Sequence, residues 1–427
     1  MANKVVVTGI GLICGQAMSA NELFERISQC QSSVRKNEKL AAYGVTNSAC
    51  SFIDEQVLAA LDVQCRAQGL PQLSAPALLA IYAAAQAIEN ADINVKSIER
   101  KGLFLACNKQ SLEAEHLLGL AKHFDPTTGK VDLDMFMEMQ RHEKQSYFHK
   151  RQDMAALVLA ERYEFDDVVM TPGDACAAGG IAVGTGYRYI AQGELDVALV
   201  GATEAMCNYM PMLSFSILGA LAPQSGEDPA SISRPFDRAR SGFVMGDGSA
   251  FLMLESEQHA QARGAKILGY VSGFAKQTES WRITSSPKDG SDYARCMSDA
   301  IADAGLSIND IDHINAHGTS TEQNDSCESA AIKKLFGELT ASIPVTSNKS
   351  AIGHSLAASG AIEAALSIIS LQQQLLLPTL NFCESDEDTA GINVVQQATP
   401  SKIKHILSNS FGFGGENSVL ILSAVAE

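Results

Sequence analysis

One cysteine of this chain lies in a segment that is almost free of large side chains. Residues 173–180 read GDACAAGG, with Cys176 near the centre. A predicted strand and a Pro-Gly turn precede Cys176, and a helix predicted over 176–191 begins there. Unpaired backbone N–H groups and the positive end of that helix favour a thiolate, the nucleophilic form of cysteine. We interpret Cys176 as a nucleophile with space for a substrate; the alternative is an inert buried cysteine.

Two histidines and a lysine follow predicted strands in the second half of the chain. Residues 315–321 read NAHGTST and residues 347–355 read SNKSAIGHS, each just past a strand. Ligands of open α/β sheets bind at these carboxyl ends of strands, which makes His317, His354 and Lys349 candidate site residues. The alternatives are a histidine that caps a turn and a lysine on the surface. A lysine buried between a strand and a helix of small residues usually has a function.

A glycine-rich segment lies near the end of the chain. Residues 409–417 read NSFGFGGEN, and glycines let backbone N–H groups turn toward a ligand. Alone this is weak evidence, because the segment lacks the glycine order and the following helix of a dinucleotide site. Together, one cysteine, two histidines and a lysine at strand ends fit thioester chemistry. A thiolate would take an acyl group, and two imidazoles would act on the carboxylate or enolate of a second substrate.

The composition indicates a large, acidic, globular protein. The chain has 427 residues, 46% of them hydrophobic, and a net charge of -17. This is enough apolar material for one large domain or two fused ones, and the acidic balance argues against broad nucleic-acid binding. None of the ten cysteines forms a CxxC pair, so we expect neither a disulfide framework nor a metal site. No apolar run approaches the roughly 20 residues of a membrane span, and no convincing signal peptide is present; we expect a soluble, cytoplasmic protein.

The order of predicted elements suggests two successive α/β halves. We place them at 1–260 and 261–427, with a polar helical insertion at about 109–165. Both halves alternate strands with helices, which indicates βαβ units and an internal duplication. The predicted helices cover 74–90, 176–191, 291–304, 325–336 and 355–372, and the predicted strands cover 4–8, 102–106, 166–170, 196–201, 265–274, 311–315, 343–346, 404–408 and 418–423.

In their order along the chain, the motifs resemble those of the elongating β-ketoacyl-[acyl carrier protein] synthases of type II fatty acid and polyketide synthesis. KVVVTGIG stands at the start, the cysteine lies in an ACxxG setting, and HGTST, NKSxxGH and FGFGG follow in the family's order. Residues 233–255 also look like the family's middle segment. The resemblance implies an α/β protein of the thiolase fold, in which duplicated halves build a five-layered α/β/α/β/α sandwich, and it implies a dimer.

The resemblance also implies a role for each candidate residue. Cys176 would hold the acyl chain, and His317 and His354 would promote decarboxylation of a malonyl thioester and stabilise the enolate. Lys349, paired with Glu363, would organise His317 and the electrostatics of the site. The other implied residues are Asp325 and Glu328 in support of that network, the backbone N–H groups of Cys176 and Phe411 in the oxyanion hole, Phe411 with Gly412 and Phe413 in the gating loop, and Thr284, Thr319 and Thr321 at the phosphopantetheine arm.

The implied reaction is a ping-pong condensation. An acyl group moves to Cys176, malonyl-acyl carrier protein loses CO2, and the resulting carbanion equivalent attacks the acyl-enzyme to give a 3-oxoacyl-carrier protein. No metal or organic cofactor would take part, because the acyl carrier protein supplies the phosphopantetheine. The implied partners are this carrier protein and either a second copy of the chain or a chain-length-factor-like homologue, without nucleic acid or membrane.

Several residues depart from the family pattern. Asp174 stands where the family mostly has threonine or serine, and we expect its carboxylate to join a hydrogen-bond network rather than face the thiol. Asn108, Lys109 and Gln110 replace a glycine-rich stretch, and we place them with Phe215 at the acyl pocket or a subunit interface. A long saturated chain disfavours a lysine, so these residues favour a specialised polyketide synthase, for an aromatic or polyene product, over fatty acid elongation. Trp281, Arg282 and Glu416 also differ from the common pattern.

Two other classes share this fold. A chain-length-factor-like subunit is non-catalytic and lacks the active cysteine, whereas this chain has Cys176 and both histidines. A thiolase would use a second catalytic cysteine near the C-terminus, and here no cysteine follows Cys383. The cysteine with two histidines therefore favours decarboxylative condensation.

Overall fold

The computed structural model describes residues 3–108, 121–132, 134, 151, 153–223 and 228–425. Most of the predicted helical insertion, together with Lys109 and Gln110, lies outside the described residues. The described helices are α1 (Ala20–Ser28), α2 (Glu38–Ala42), α3 (Glu55–Ala67), α4 (Ala75–Asn90), α5 (Met154–Tyr163), α6 (Ala178–Ala191), α7 (Tyr209–Ile217), α8 (Glu257–Ala262), α9 (Ser291–Asp303), α10 (Glu322–Phe336), α11 (Lys349–Ile352) and α12 (Ser359–Gln373).

Among the described residues, eleven strands form one mixed sheet. They are β1 (Val5–Cys14), β2 (Lys101–Ala106), β3 (Val168–Met170), β4 (Val197–Glu204), β5 (Gly248–Ser256), β6 (Gly269–Thr278), β7 (His313–Asn315), β8 (Pro344–Thr346), β9 (Asn393–Val394), β10 (His405–Phe411) and β11 (Glu416–Ser423). Shorter strands pair outside this sheet at Arg35–Lys36, Ala49–Ser51, Met245–Gly246, Leu375–Leu376, Thr399–Pro400, Phe124–Asp125 and Lys130–Val131.

The sheet consists of two halves with the same topology. The first half has the spatial order β1-β5-β4-β2-β3, and the second has β6-β11-β10-β7-β8, with β9 at its outer edge. In each half the first two pairings are antiparallel and the next two are parallel. The halves join through antiparallel pairing of β1 with β6. The repeated order confirms the internal duplication, and the second copy begins at β6.

Helices occupy three layers around the two half-sheets. On the outside of the first half, α4 packs against β1 and β5, and on the outside of the second half, α9 packs against β6 and β11. Between the halves lie α6 and α12, each in contact with strands of both. The layers therefore run α/β/α/β/α, which confirms the predicted sandwich.

The central helix α6 lacks side-chain bulk because it is packed closely on several sides. A Cβ on Gly179 would lie 2.5 Å from the Ala357 oxygen, and one on Gly184 would lie 2.1 Å from the Phe274 ring. Each glycine costs a helix roughly 1 kcal/mol relative to alanine. Close approach of both half-sheets and of α12 explains why the chain accepts that cost at the helix that begins next to Cys176.

The next observations concern membrane spans, metal-binding clusters and disulfides. Across the described ranges, no helix combines the length and the apolar composition that a bilayer span requires. Within the same ranges, no three or more histidine, cysteine or acidic residues are grouped so that they could hold a metal ion. All ten cysteines are free thiols.

Candidate active site

Cys176 is presented by a tight turn between β3 and α6. Ala175–Ala177 form a 3-10 turn, and Ala175 has a left-handed backbone with a φ of 48°. Such strained non-glycine residues occur where a side chain must be held in one place. A Cβ on Gly412 would stand 3.1 Å from the Cys176 nitrogen. Glycine at this position therefore lets the C-terminal loop reach the turn that carries the thiol.

His354 touches the sulfur directly. Its Nε2 lies 3.2 Å from Cys176 Sγ, and its Nδ1 lies 3.0 Å from Ser359 Oγ. The ring of Phe243 packs edge-on against the imidazole, with ring centroids 5.2 Å apart. For Nε2 to accept the thiol proton, the neutral imidazole must carry its hydrogen on Nδ1, and Ser359 Oγ then accepts a hydrogen bond from Nδ1–H. The geometry thus suits His354 to remove a proton from Cys176.

His317 completes a second wall of the same site. Its ring meets that of His354 edge to face, with centroids 5.2 Å apart. Burial, reinforced by the nearby Lys349 cation, holds the pKa of both imidazoles well below the usual value. Nδ1 of His317 is buried and has no hydrogen-bond partner among the described residues. Two neutral imidazoles therefore stand side by side beside the thiol.

Glu328 holds the backbone that carries His317. One of its carboxylate oxygens accepts hydrogen bonds from the His317 N–H at 2.8 Å and from Asn409 Nδ2 at 2.9 Å. The other oxygen accepts from the Gly318 N–H at 2.8 Å. The two oxygens together take three N–H donors, so this carboxylate fixes the start of the loop that follows β7.

Asp325 holds the next residues of the same loop. Its carboxylate accepts from the backbone N–H groups of Thr319 at 2.9 Å, of Ser320 at 3.2 Å and of Phe236 at 2.8 Å. The sequence analysis expected Asp325 and Glu328 to support the network around Lys349. In the structure these two acids bind mainly backbone N–H groups of the loop.

Lys349 and Glu363 form a fully buried ion pair. Lys349 Nζ bonds Glu363 Oε1 directly, and the two side chains are 1% and 0% exposed. Burial raises the pKa of Glu363 to about 7 although Lys349 opposes that shift. The pair does not line the cavity; it lies behind the histidines and places positive charge near them.

Burial of the Cys176 side chain favours the protonated thiol over the thiolate. Burial raises its pKa to about 12 and outweighs the opposing effects of the Lys349 cation and the Phe413 backbone N–H. The sequence analysis expected the helix end to favour a thiolate. Burial reverses that balance, so the thiol needs a base at the moment of attack, and His354 is placed to be that base.

The C-terminal glycine-rich loop supplies an N–H group at the sulfur. The backbone N–H groups of Phe413 and Cys176 both lower the pKa of the Cys176 thiol, whereas the sequence analysis named the N–H groups of Phe411 and Cys176. The Phe411 ring is 3% exposed and is stacked on Tyr293, with centroids 3.6 Å apart. Phe413 is half-buried and more accessible. Phe413 therefore becomes the candidate oxyanion donor in place of Phe411, which also lines the cavity.

An open cavity of about 370 Å³ reaches the thiol. This volume lies within the range of small-molecule sites, roughly 300–1,000 Å³. The predicted residues that line it are Cys176, His317, His354, Thr284, Thr319, Thr321, Phe411, Gly412 and Phe413.

Asn108 and Phe215, the described residues among those predicted at the acyl pocket or a subunit interface, do not line this cavity. Asn108 Nδ2 donates to Glu204 Oε2 at 2.5 Å, and burial raises the pKa of Glu204 to about 8. The Phe215 ring packs edge-on against Phe243, with centroids 5.4 Å apart, and does not line the cavity. Asp174 faces Lys276, whose Nζ lies 2.6 Å from its Oδ1, which confirms that this carboxylate joins a polar network.

Sequence reasoning missed several contributors. Ser359 hydrogen-bonds His354, and the sequence offers no motif for this contact; the one indication is that Ser359 lies five residues after His354, at the start of a helix. Phe243 and Tyr293 reach the site through tertiary packing alone. Asn409 lies inside the quoted NSFGFGGEN segment, so its contact with Glu328 could have been sought there.

Family models match most of the chain. A model of the β-ketoacyl synthase N-terminal domain matches residues 2–260, and one of the C-terminal domain matches residues 268–383. The chain therefore belongs to the β-ketoacyl synthase family.

Two curated relatives come from different branches of that family. The chain is 31% identical to a putative polyketide β-ketoacyl synthase 1 of Streptomyces halstedii, over 99% of this chain and 98% of that protein. It is 42% identical to the 3-oxoacyl-[acyl-carrier-protein] synthase 2 of Rhizobium meliloti, over 58% of this chain and 59% of that protein.

Solved structures agree with the fold. One is a type II polyketide acyl-carrier protein in complex with its ketosynthase, AntDE:AntF. The match covers 100% of this chain and 100% of the chain compared, with a TM-score of 0.87 and 30% identity. The ishigamide ketosynthase/chain length factor matches with a TM-score of 0.83 and 26% identity, over 100% of each chain.

Replacement of Lys349 by methionine leaves Glu363 buried without its partner. We expect Lys349→Met to lower the free energy of unfolding by about 3–5 kcal/mol. The double variant Lys349→Met/Glu363→Met removes both charges and recovers most of that stability, but not activity. Chemical denaturation measures the free energy of unfolding of the single and the double variant. A double variant less stable than Lys349→Met would show that the buried charge of Glu363 is not the cause.

Replacement of Glu328 by glutamine puts an NH2 group against backbone donors. We expect Glu328→Gln to displace His317 and to lower kcat about 100-fold, because small misplacements of catalytic groups have effects of that size. The exposed Glu338→Gln is the matched control. Steady-state kinetics with a melting curve is the measurement, and equal kcat in the two variants would remove Glu328 from its positioning role.

Proposed function

We propose that this chain is an elongating ketosynthase that joins an acyl group on Cys176 to a malonyl unit, with release of CO2. The observation that carries the proposal is the contact between Cys176 Sγ and His354 Nε2 at 3.2 Å, beside a second neutral imidazole, at the end of a substrate-sized cavity. Both family models and the full-length polyketide relative support it.

The first half-reaction moves the acyl group to the cysteine. His354 Nε2 takes the Sγ proton as sulfur attacks the thioester carbonyl, and the carrier's thiolate leaves with that proton. The N–H groups of Cys176 and Phe413 hold the oxyanion, and loss of such a donor costs about 100- to 1,000-fold in rate. A base in contact with the thiol is required because burial keeps the thiol protonated.

The second half-reaction breaks the malonyl C–C bond. Loss of CO2 leaves an electron pair on the thioester enolate, whose oxygen accepts hydrogen bonds from His317 and His354. The carbanion then attacks the acyl carbonyl, the Cys176 thiolate leaves and takes up one proton from solvent, and the 3-oxoacyl product is two carbons longer. Ser359 supports both tasks of His354, because a hydroxyl can accept from Nδ1–H in the first and donate to bare Nδ1 in the second.

The partner is an acyl carrier protein whose phosphopantetheine arm enters the cavity past Thr284, Thr319 and Thr321. No other cofactor takes part in the proposal. The enzyme works in the cytoplasm as a dimer, with a second copy or a chain-length-factor-like homologue. The halves 1–260 and 261–427 act as one unit, because Cys176 comes from the first and both histidines from the second.

A specialised polyketide, aromatic or polyene, is the proposed product class. The supporting observation is the polar Asn108–Glu204 contact near the thiol, together with similarity over the full length to a putative polyketide synthase. A non-catalytic chain-length factor would have no use for the Cys176–His354 contact. A thiolase is disfavoured because the other cysteine at the cavity, Cys327, is 3.5 Å from the backbone oxygen of Pro287 and donates to it.

Separate assays of the two half-reactions test the assignment. We expect Cys176→Ala to accept no acyl group and to give no condensation product. We expect His317→Ala to accept the acyl group but to release CO2 from malonyl-acyl carrier protein at least 100-fold more slowly, because it lacks one enolate donor. His354→Ala slows both steps.

Intact-protein mass spectrometry measures acyl loading and labelled CO2 release measures decarboxylation. His405→Ala, at the far end of β10, is the matched control. Normal product formation by Cys176→Ala, or normal CO2 release by His317→Ala, would contradict the proposal.

A further inference from the structure

Two acidic side chains, Asp174 and Glu416, meet on one lysine. Lys276, on β6, places its Nζ 2.6 Å from Asp174 Oδ1 and 3.7 Å from Glu416 Oε2. Thr278 Oγ1 also donates to Glu416 Oε2, at 3.2 Å. The side chains of Lys276, Asp174 and Glu416 are 40%, 20% and 26% exposed. We call this group the Lys276 bridge.

The bridge joins the two segments that present N–H groups to the sulfur. Asp174 directly precedes the 3-10 turn of Cys176. Glu416 directly follows the turn of Phe413, and its backbone oxygen accepts from the Gly412 N–H at 2.7 Å, which closes that turn. The two carboxylates therefore mark the outer ends of the two segments, and Lys276 holds them together.

Other contacts anchor the inner side of the glycine-rich turn. The Gly414 N–H donates to the Ile283 oxygen at 2.7 Å, and the Glu279 N–H donates to the Gly415 oxygen at 2.9 Å. Those bonds fix the turn to residues 279–283 but not to the segment of Cys176. Between the two segments, Ser418 Oγ donates to the Ala177 oxygen at 3.3 Å, and the bridge adds a charged side-chain connection.

Charge alone explains why the lysine matters. Without it, the partly exposed carboxylates of Asp174 and Glu416 would face each other without a cation between them, and their like charges would repel. The cation that directly lowers the pKa of Cys176 is the buried Lys349. Lys276 therefore acts on the separation of the two backbone segments.

We propose that Lys276, bridging Asp174 and Glu416, is a positioning residue that sets the distance between the two oxyanion donors, the N–H groups of Cys176 and Phe413. The inference rests on the proposed function, in which those two groups hold the oxyanion of the acyl thioester.

Four variants test the bridge. Lys276→Met leaves two carboxylates without their shared cation, and we expect kcat for condensation to fall about 10- to 100-fold with KM for malonyl-acyl carrier protein changed less than about threefold. Lys276→Arg keeps the bridge and stays within about threefold of wild type. The triple variant Asp174→Thr/Lys276→Met/Glu416→Thr removes the repulsion and recovers at least about tenfold of the loss. The exposed Lys288→Met is the matched control for loss of a positive charge.

A second readout needs no substrate. Iodoacetamide modification of Cys176, followed by peptide mass spectrometry, is expected to be about three- to tenfold slower in Lys276→Met, because a displaced Phe413 N–H no longer favours the thiolate. Melting curves confirm that each variant is folded. Equal kcat and equal alkylation in Lys276→Met and Lys288→Met, or a triple variant no faster than Lys276→Met, would overturn the bridge. A wild-type protein that neither takes an acyl group nor releases CO2 would instead overturn the proposed function, and alkylation would still decide the bridge.

Discussion

Burial of the contact between Cys176 and His354 is the constraint on which the rest of the site depends. Out of water, a resting thiolate and imidazolium would both be costly, so each group stays neutral until a substrate arrives. The ammonium group of Lys349, which is paired with Glu363 on the far side of the histidines from the cavity, supplies positive charge near them. Loss of one member of such a pair leaves a buried unpaired charge, whereas apolar replacement of both costs little stability, so the two charges are kept for their effect on the site.

Duplication of the fold brings these distant residues together. In each half the third strand along the chain, β3 or β8, leads through a turn segment into a helix of the central layer, and after β8 this segment includes the short helix α11. Cys176 lies in the first of these turns, and His354 lies in the second, 178 residues later. Because α6 and α12 pack against each other between the half-sheets, the two turns meet. Small residues in both helices permit that approach, and the reactive contact follows from it.

Much of this arrangement could be predicted from the sequence. Strand-then-helix patterns located the halves, and the motifs located Cys176, His317, His354 and Lys349 because each lies next to a strand end. Three features could not be predicted, since they depend on tertiary packing: the burial that raises the pKa of Cys176, the effect of the Phe413 N–H on that pKa, and the meeting of Asp174 with Glu416 on Lys276. Propensity and spacing describe neighbours along the chain, whereas desolvation and loop contacts join residues far apart in it.

The protonation state of Cys176 at rest tests the central claim most directly. The ultraviolet absorbance of the thiolate, titrated in the wild-type protein and in Cys176→Ala, isolates the signal of this one sulfur from the other cysteines. The account predicts no Cys176 thiolate at neutral pH and deprotonation only well above the ordinary cysteine pKa of about 8.5. A midpoint at or below neutral pH would contradict it, because the resting site would then hold a thiolate–imidazolium pair rather than two neutral groups.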